Sequence, residues 1–174
     1  LLLMLVAFDA WLVATLQPDT GDGHWADAPK EFTGTLWRSP YPTLRMTENG
    51  VAETYVLISD EKRGAEAALE RIADGTRIKL DGYLIERAAV RMVQLAATDV
   101  AAAGDVPATA EAPREIHGRV TLDGEIVDSK CWLGVMRPGD GHIHKACAAL
   151  CIRGGVPPMF VARANDGPQV MLLT

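Results

Sequence analysis

The residues of this chain that could do chemistry lie together between positions 131 and 151. This stretch holds all three cysteines, Cys131, Cys147 and Cys151, and two of the four histidines, His142 and His144. Thiolate and imidazole groups bind soft metals such as zinc and copper, and thiols also form disulfides or act as nucleophiles. The stretch therefore raises three hypotheses: a disulfide, a metal site and a reactive thiol.

A predicted helix over residues 143–152 would bring most of this set onto one surface. A Gly-Gly pair and a Pro-Pro pair soon after its last residue indicate where the helix ends. His144, Cys147 and Cys151 are spaced by three and four residues, so they would share one face of the helix. Cys131 lies at the end of the preceding strand, and an intervening glycine-rich turn would let it fold over this face.

A disulfide is the first hypothesis, because cysteines pair in the oxidising compartment that the N-terminal sequence predicts for this domain. Cβ atoms of neighbours on one helix face lie about 5–6 Å apart, whereas a disulfide needs about 3.8 Å. A bridge between Cys147 and Cys151 is therefore disfavoured. A bridge from Cys131 to either Cys147 or Cys151 is easier, and it leaves one cysteine over.

A metal site is the second hypothesis, with Cys131, His144, Cys147 and Cys151 as ligands and zinc or copper as the metal. The spacing differs from that of zinc fingers, Rieske centres and covalent haem sites, and His142 is a weaker candidate ligand. The third hypothesis is a thiol activated by a histidine. The sequence shows no orienting acid or oxyanion donor for it, so we predict no catalytic residue, no certain cofactor and no enzyme activity.

The N-terminal residues predict where the cluster is held. Residues 1–17 are mostly apolar, carry Asp9 as their only charge and indicate a transmembrane anchor, although a spanning helix needs roughly 20 residues. The chain opens on Leu1, so we expect the apolar segment to continue upstream. No Lys or Arg precedes Lys30, which predicts a single-pass protein whose domains lie on the extracytoplasmic side of the membrane. Asp9 would be costly in lipid, so we expect it either to contact a partner helix or to lie close enough to the membrane interface to be hydrated.

The remaining chain divides by composition into four segments. They are a juxtamembrane segment over 18–31, an OB-like β domain over 32–97, a linker over 98–115 and a second β domain with the Cys/His cluster over 116–174. The first domain shows three strand patterns, a helix pattern over 61–73 and two further strand patterns, which is the order of a five-stranded OB-type barrel. The alternative is an SH3-like barrel or a small α+β sheet. The predicted fold class is mainly β with short helices: an N-terminal transmembrane helix and two small OB-like β-barrel domains, the second incomplete.

The charge balance limits the choice of partners. The chain has 17 basic and 23 acidic residues, a formal charge of −6. Phosphate backbones need a basic surface, so nucleic acid is not expected as a partner. The sequence also contains none of the short motifs of nucleotide-binding proteins or serine hydrolases.

One stretch of about 35 residues resembles a known pattern. It runs from Gly124-Glu125-Ile126-Val127-Asp128-Ser129-Lys130-Cys131 through Gly134-Val135-Met136 to His144, Cys147, Cys151 and Gly154-Gly155. This GEIVDSKC…HxxCxxxCxxGG motif resembles that of a family of uncharacterised bacterial membrane-anchored proteins. The resemblance implies an N-terminal helix followed by two small β domains, and it implies no activity.

Two functions fit these features. The first is a non-enzymatic accessory subunit of a membrane-embedded redox complex, respiratory or photosynthetic. Its helix would contact lipid and the other subunits, and its domains would lie on the extracytoplasmic face. The alternative is a free-standing periplasmic protein that handles zinc or copper or carries out thiol redox chemistry, with Cys131, His144, Cys147 and Cys151 as its working residues.

Overall fold

The structure, a computed structural model, describes residues 2–16, 23–48, 50–87, 89–96, 100–104, 118–162 and 169–174. Helix α1 spans Leu2–Leu16, and strands β1 to β7 span His24–Trp25, Lys30–Trp37, Thr43–Glu48, Val51–Ile58, Arg77–Arg87, Val90–Leu95 and Ala101–Ala102. Then follow β8 (Gly124–Asp128), a π-helical turn (Cys131–Val135), α2 (Gly141–Arg153), β9 (Pro158–Ala162) and β10 (Gln169–Leu172).

Strands β2 to β6 form a five-stranded barrel. The strand order is β5-β2-β3-β4-β6, and a further pairing of β5 with β6 closes the sheet. The β4–β6 pair is parallel, with Val56 opposite Met92, and the other barrel pairs are antiparallel. The interior is filled by apolar side chains that alternate along the strands, among them Leu36, Leu44 and Leu57. The predicted β-barrel in the first domain is therefore confirmed.

The segment predicted as a helix over 61–73 is instead a succession of turns. It keeps one hydrogen bond with α-helical spacing, from the Leu69 N–H to the Ala65 carbonyl at 3.1 Å. The next hydrogen bond, from the Ile72 N–H to the Leu69 carbonyl, spans three residues instead of four. Ala65 and Leu69 are still fully buried against the barrel core. The apolar periodicity therefore identified the buried side of this segment and not its hydrogen-bonding pattern.

The second sheet packs against the barrel. Strands β8, β9 and β10 form an antiparallel sheet in the order β10-β9-β8. These described residues make a three-stranded sheet, and the predicted incomplete second barrel stays a prediction. Val127, Trp132 and Met159 from this part share one buried cluster with Ile85 and Met92 of the barrel. The two parts of the chain are thus joined by a common core.

Helix α1 has 15 residues, and its apolar side chains are exposed, for example Leu3 at 84% and Trp11 at 60%. Of the helices in the described ranges, none is long and apolar enough to cross a membrane. The transmembrane prediction for 1–17 is therefore not supported. Residues 17–22, which include the start of the predicted juxtamembrane segment, lie outside the described residues. So does most of the predicted linker over 98–115. Within the linker, Ala101–Ala102 pairs with β5.

Candidate metal centre

The carboxylate of Asp128 fixes the position of the first cysteine. Asp128 ends β8 and is completely buried. Its Oδ1 accepts the backbone N–H of Cys131 at 2.9 Å, so the chain turns sharply after the strand into the π-helical turn. Its Oδ2 lies 2.9 Å from His144 Nε2, on α2. One buried carboxylate thus ties the strand end to the helix that carries the other two cysteines.

Helix α2 presents His144, Cys147 and Cys151 toward the interior. The predicted helix over 143–152 is confirmed by α2, which begins two residues earlier at Gly141. Glu125 Oε1 accepts the Gly141 N–H at 2.8 Å and holds the helix start beside β8. His144 and Cys151 are buried, and Cys147 is partly exposed.

The three cysteine sulfurs converge. The Sγ atoms of Cys131, Cys147 and Cys151 all lie within 4.8 Å of one another, and all three residues are free thiols. Two thiolates on one tetrahedral zinc are about 3.8 Å apart, since each Zn–S bond is about 2.3 Å. The arrangement is therefore of the size that a single metal ion requires.

A second group of potential ligands shares Cys131. It consists of Asp128, Cys131 and His144, whose ligand atoms again lie within 4.8 Å of one another. All three residues are buried. His144 is therefore close to Asp128 and Cys131. It does not form one four-ligand group with all three cysteines of the described residues.

Two lysines lie beside the sulfurs. Lys62 Nζ is 2.8 Å from Cys147 Sγ and 3.9 Å from Cys151 Sγ. Lys130 is buried, and its ammonium donates to the carbonyls of Ser59 at 3.2 Å and Glu61 at 2.7 Å. Both side chains bring positive charge to a site whose thiols become anionic when they bind metal.

Burial and charge shift the proton equilibria of this site. Desolvation raises the pKa of Cys131, and the nearby Asp128 charge raises it further. Desolvation is also the main reason that the pKa of Cys151 rises to about 11. The pKa of Lys62 is raised, chiefly by its hydrogen bond with Cys147, whereas burial lowers the pKa of Lys130. Without metal, the two buried thiols are therefore protonated at neutral pH.

Lys62 lies at the site because the backbone of its loop packs closely against the end of α2. The Gly64 N–H donates to the Gly154 carbonyl at 2.9 Å, which joins the loop after β4 to the end of α2. A Cβ on Gly154 would lie 1.8 Å from the Lys62 carbonyl oxygen, and a Cβ on Gly64 would lie 2.4 Å from the Gly155 carbonyl oxygen. Side chains larger than hydrogen therefore do not fit between these two segments.

The cysteines open onto one side of the molecule. They line a cavity of about 450 Å³ whose other lining residues are Glu61, Lys62, Arg63, Lys130, Val135 and Met136. The lining is therefore chemically mixed: it has three basic side chains, one acidic side chain and two apolar side chains besides the cysteines. Cys147 is the most exposed of the three cysteines on this side.

The sequence-predicted ligands are placed as follows. Cys131, Cys147 and Cys151 come together. His144 lies near Cys131 and Asp128 but outside the three-sulfur group, and His142 is exposed on α2. The predicted disulfide from Cys131 to Cys147 or Cys151 stays a prediction. Sequence reasoning missed both lysines and the role of Asp128, although Asp128 and Lys130 stand inside the motif that drew attention to Cys131.

Comparison with known proteins adds no family to this picture. The chain matches no protein-family model, no curated protein and no solved structure. The class that fold and site define is therefore a mainly β protein with a five-stranded barrel and a three-cysteine cluster able to hold a metal.

Proposed function

We propose that this protein binds one soft transition-metal ion, zinc or copper(I), through Cys131, Cys147 and Cys151. The proposal is carried by one observation, the convergence of three sulfurs within 4.8 Å. Thiolates are the ligands that select zinc and copper(I) over harder cations. Lys62 and Lys130 would offset the negative charge of a thiolate-bound metal, and Asp128 would hold Cys131 in position from behind.

Metal titration of the reduced full-length chain tests this proposal. We expect one zinc or copper(I) per chain, and we expect Cys131→Ser and Cys151→Ser to abolish that stoichiometry. His142→Ala is the matched control, because this histidine precedes the ligands on the same helix but is exposed. A reduced chain that binds neither metal would overturn the proposal. Mass spectrometry of the protein as purified shows whether a disulfide from Cys131 occupies the site instead.

The exposed α1 helix supports a second function, that of an accessory subunit. Apolar side chains point outward all around this helix, including Phe8 at 55% and Val13 at 57% exposure. Such a surface needs a cover of lipid or protein. We therefore propose that α1 joins a membrane-embedded redox complex of the bacterial inner membrane, respiratory or photosynthetic, and that the β domains lie in the periplasm. This fits the resemblance to bacterial membrane-anchored proteins.

Cross-linking in native membranes tests the accessory role. A photoreactive residue in place of Phe8 should form adducts with subunits of a redox complex. The same residue in place of Asp81, which is exposed on β5 of the barrel, reports on contacts that do not involve the helix. A protein that runs alone after mild detergent extraction, with no adduct from position 8, would exclude this function.

We also infer that the barrel is of the OB kind. When the barrel strands β2 to β6 are counted from one to five along the chain, their order around the closed sheet is one, two, three, five, four. Strands three and five, which are β4 and β6, are parallel. OB barrels are five-stranded Greek-key barrels that bind ligands through loops and one open face. In this chain the loop after β4, between the third and fourth barrel strands, delivers Lys62 to the cysteines.

A further inference from the structure

The three cysteines do not enclose the site equally. Cys131 is 4% exposed and Cys151 is 1% exposed, whereas Cys147 is partly exposed and lies at the cavity. A metal held by the three sulfurs would therefore be covered by protein on the side of α2 and β8. It would be approached by other molecules from the cavity side.

The histidine is not placed to close this open side. It is buried, its Nε2 lies 2.9 Å from the Asp128 carboxylate, and it is close to Cys131 but does not belong to the group of three sulfurs. Zinc in proteins takes four ligands when its role is structural, and sites with three protein ligands keep a position for an exchangeable one. Among the described residues no fourth His, Cys, Asp or Glu ligand atom lies within 4.8 Å of all three sulfurs, so the protein supplies only three bonds.

The lining of the cavity holds more basic than acidic side chains, with Lys62, Arg63 and Lys130 against Glu61. Lys62 is exposed along its length, yet its Nζ lies against Cys147 and Cys151. The buried Lys130 is committed to two backbone carbonyls. A cation at the entrance of a site lined with sulfur favours an incoming ligand that is itself anionic and soft.

We infer that the fourth ligand is an external thiolate, and that the site takes up or releases its metal by exchange with a thiol-bearing partner. This inference rests on the proposed metal site. In the exchange the incoming thiol gives its proton to solvent, and its sulfur bonds to the metal in place of a solvent molecule, which leaves. The metal–sulfur bond of the exposed Cys147 then breaks first, the released Cys147 thiolate takes a proton from solvent, and no electron is transferred. Lys62 attracts the incoming thiolate.

Cobalt spectroscopy of the reduced full-length chain tests this inference, with 2-mercaptoethanol as the external thiol. Co²⁺ bound to thiolates shows sulfur-to-cobalt charge-transfer absorption. We expect this absorption to rise on adding the thiol and to saturate at one thiolate per metal, with cobalt still attached to the protein on gel filtration. A spectrum unchanged by the thiol, or cobalt stripped with no ternary complex, would overturn the inference.

Variants at Lys62 show whether its charge guides the thiolate. Lys62→Gln should weaken thiol binding up to about fivefold, as expected for an exposed charge. Lys62→Arg should restore it, and Lys145→Gln, an exposed lysine on α2, should have no effect. Equal thiol affinity in Lys62→Gln would refute the guiding role. If the reduced chain binds no Co²⁺, the metal site itself falls, whereas cobalt binding without a thiol response removes only the exchange.

Discussion

Asp128→Ala is expected to cause the largest loss of stability of any single substitution around the cysteine cluster. The carboxylate is completely buried and makes two contacts of 2.9 Å, with the Cys131 N–H and with His144 Nε2. A hydrogen bond to a charged group contributes about 1.5–3 kcal/mol. Asp128→Ala removes two such bonds and leaves the Cys131 N–H and the His144 ring buried without this partner. We therefore expect a loss of about 3–5 kcal/mol.

Urea unfolding of the reduced, metal-free, full-length chain measures this loss. Asp128→Asn keeps an oxygen for the Cys131 N–H, so its loss should be smaller, about 1–2 kcal/mol. Asp123→Ala, five residues earlier and exposed, should change stability by less than about 0.5 kcal/mol. If Asp128→Ala is as stable as the unchanged protein, the carboxylate does not tie the strand end to the helix.

Three further predictions concern the same site. The metal-free protein should lose stability as pH rises from about 9 toward 11, because the pKa of Cys151 is higher in the folded than in the unfolded protein. The expected slope is about 1.4 kcal/mol per pH unit for each such thiol. Cys151→Ser should make this slope smaller. The metal affinity should rise steeply with pH near neutrality, because each cysteine that binds the metal has to release its thiol proton. An affinity independent of pH contradicts thiolate ligation. Gly154→Ala should destabilise the protein by about 1–3 kcal/mol, since its Cβ would meet the Lys62 carbonyl at 1.8 Å; unchanged thermal unfolding would show that the loop after β4 can move aside.

The barrel could be predicted because its strands have strong local patterns. Apolar alternation and β-branched residues mark each of the five strands, and their order along the chain limits the ways in which they can pair. The helix over 61–73 failed because periodicity records which side of a segment is buried. It does not record whether the backbone completes successive helical turns. Gly64 and the left-handed Glu61, at φ 49°, stand where that helix would have to begin.

The site could be predicted only in part. His144, Cys147 and Cys151 share a face because helix geometry is local, and their spacing is visible in the sequence. Lys62 is 85 positions from Cys147, and no local pattern connects them. The contact exists because Gly64 and Gly154 allow two distant backbones to meet. Asp128 was visible as part of a motif, but its burial follows from the shared core of the two sheets.

X-ray absorption at the zinc edge tests the central claim most directly. The reduced full-length chain loaded with one equivalent of zinc should show three sulfur neighbours at about 2.3 Å, together with one lighter atom from solvent. Addition of 2-mercaptoethanol should replace that lighter atom with a fourth sulfur. A zinc environment made only of nitrogen and oxygen, or the same environment in Cys131→Ser, would contradict a metal site built from Cys131, Cys147 and Cys151.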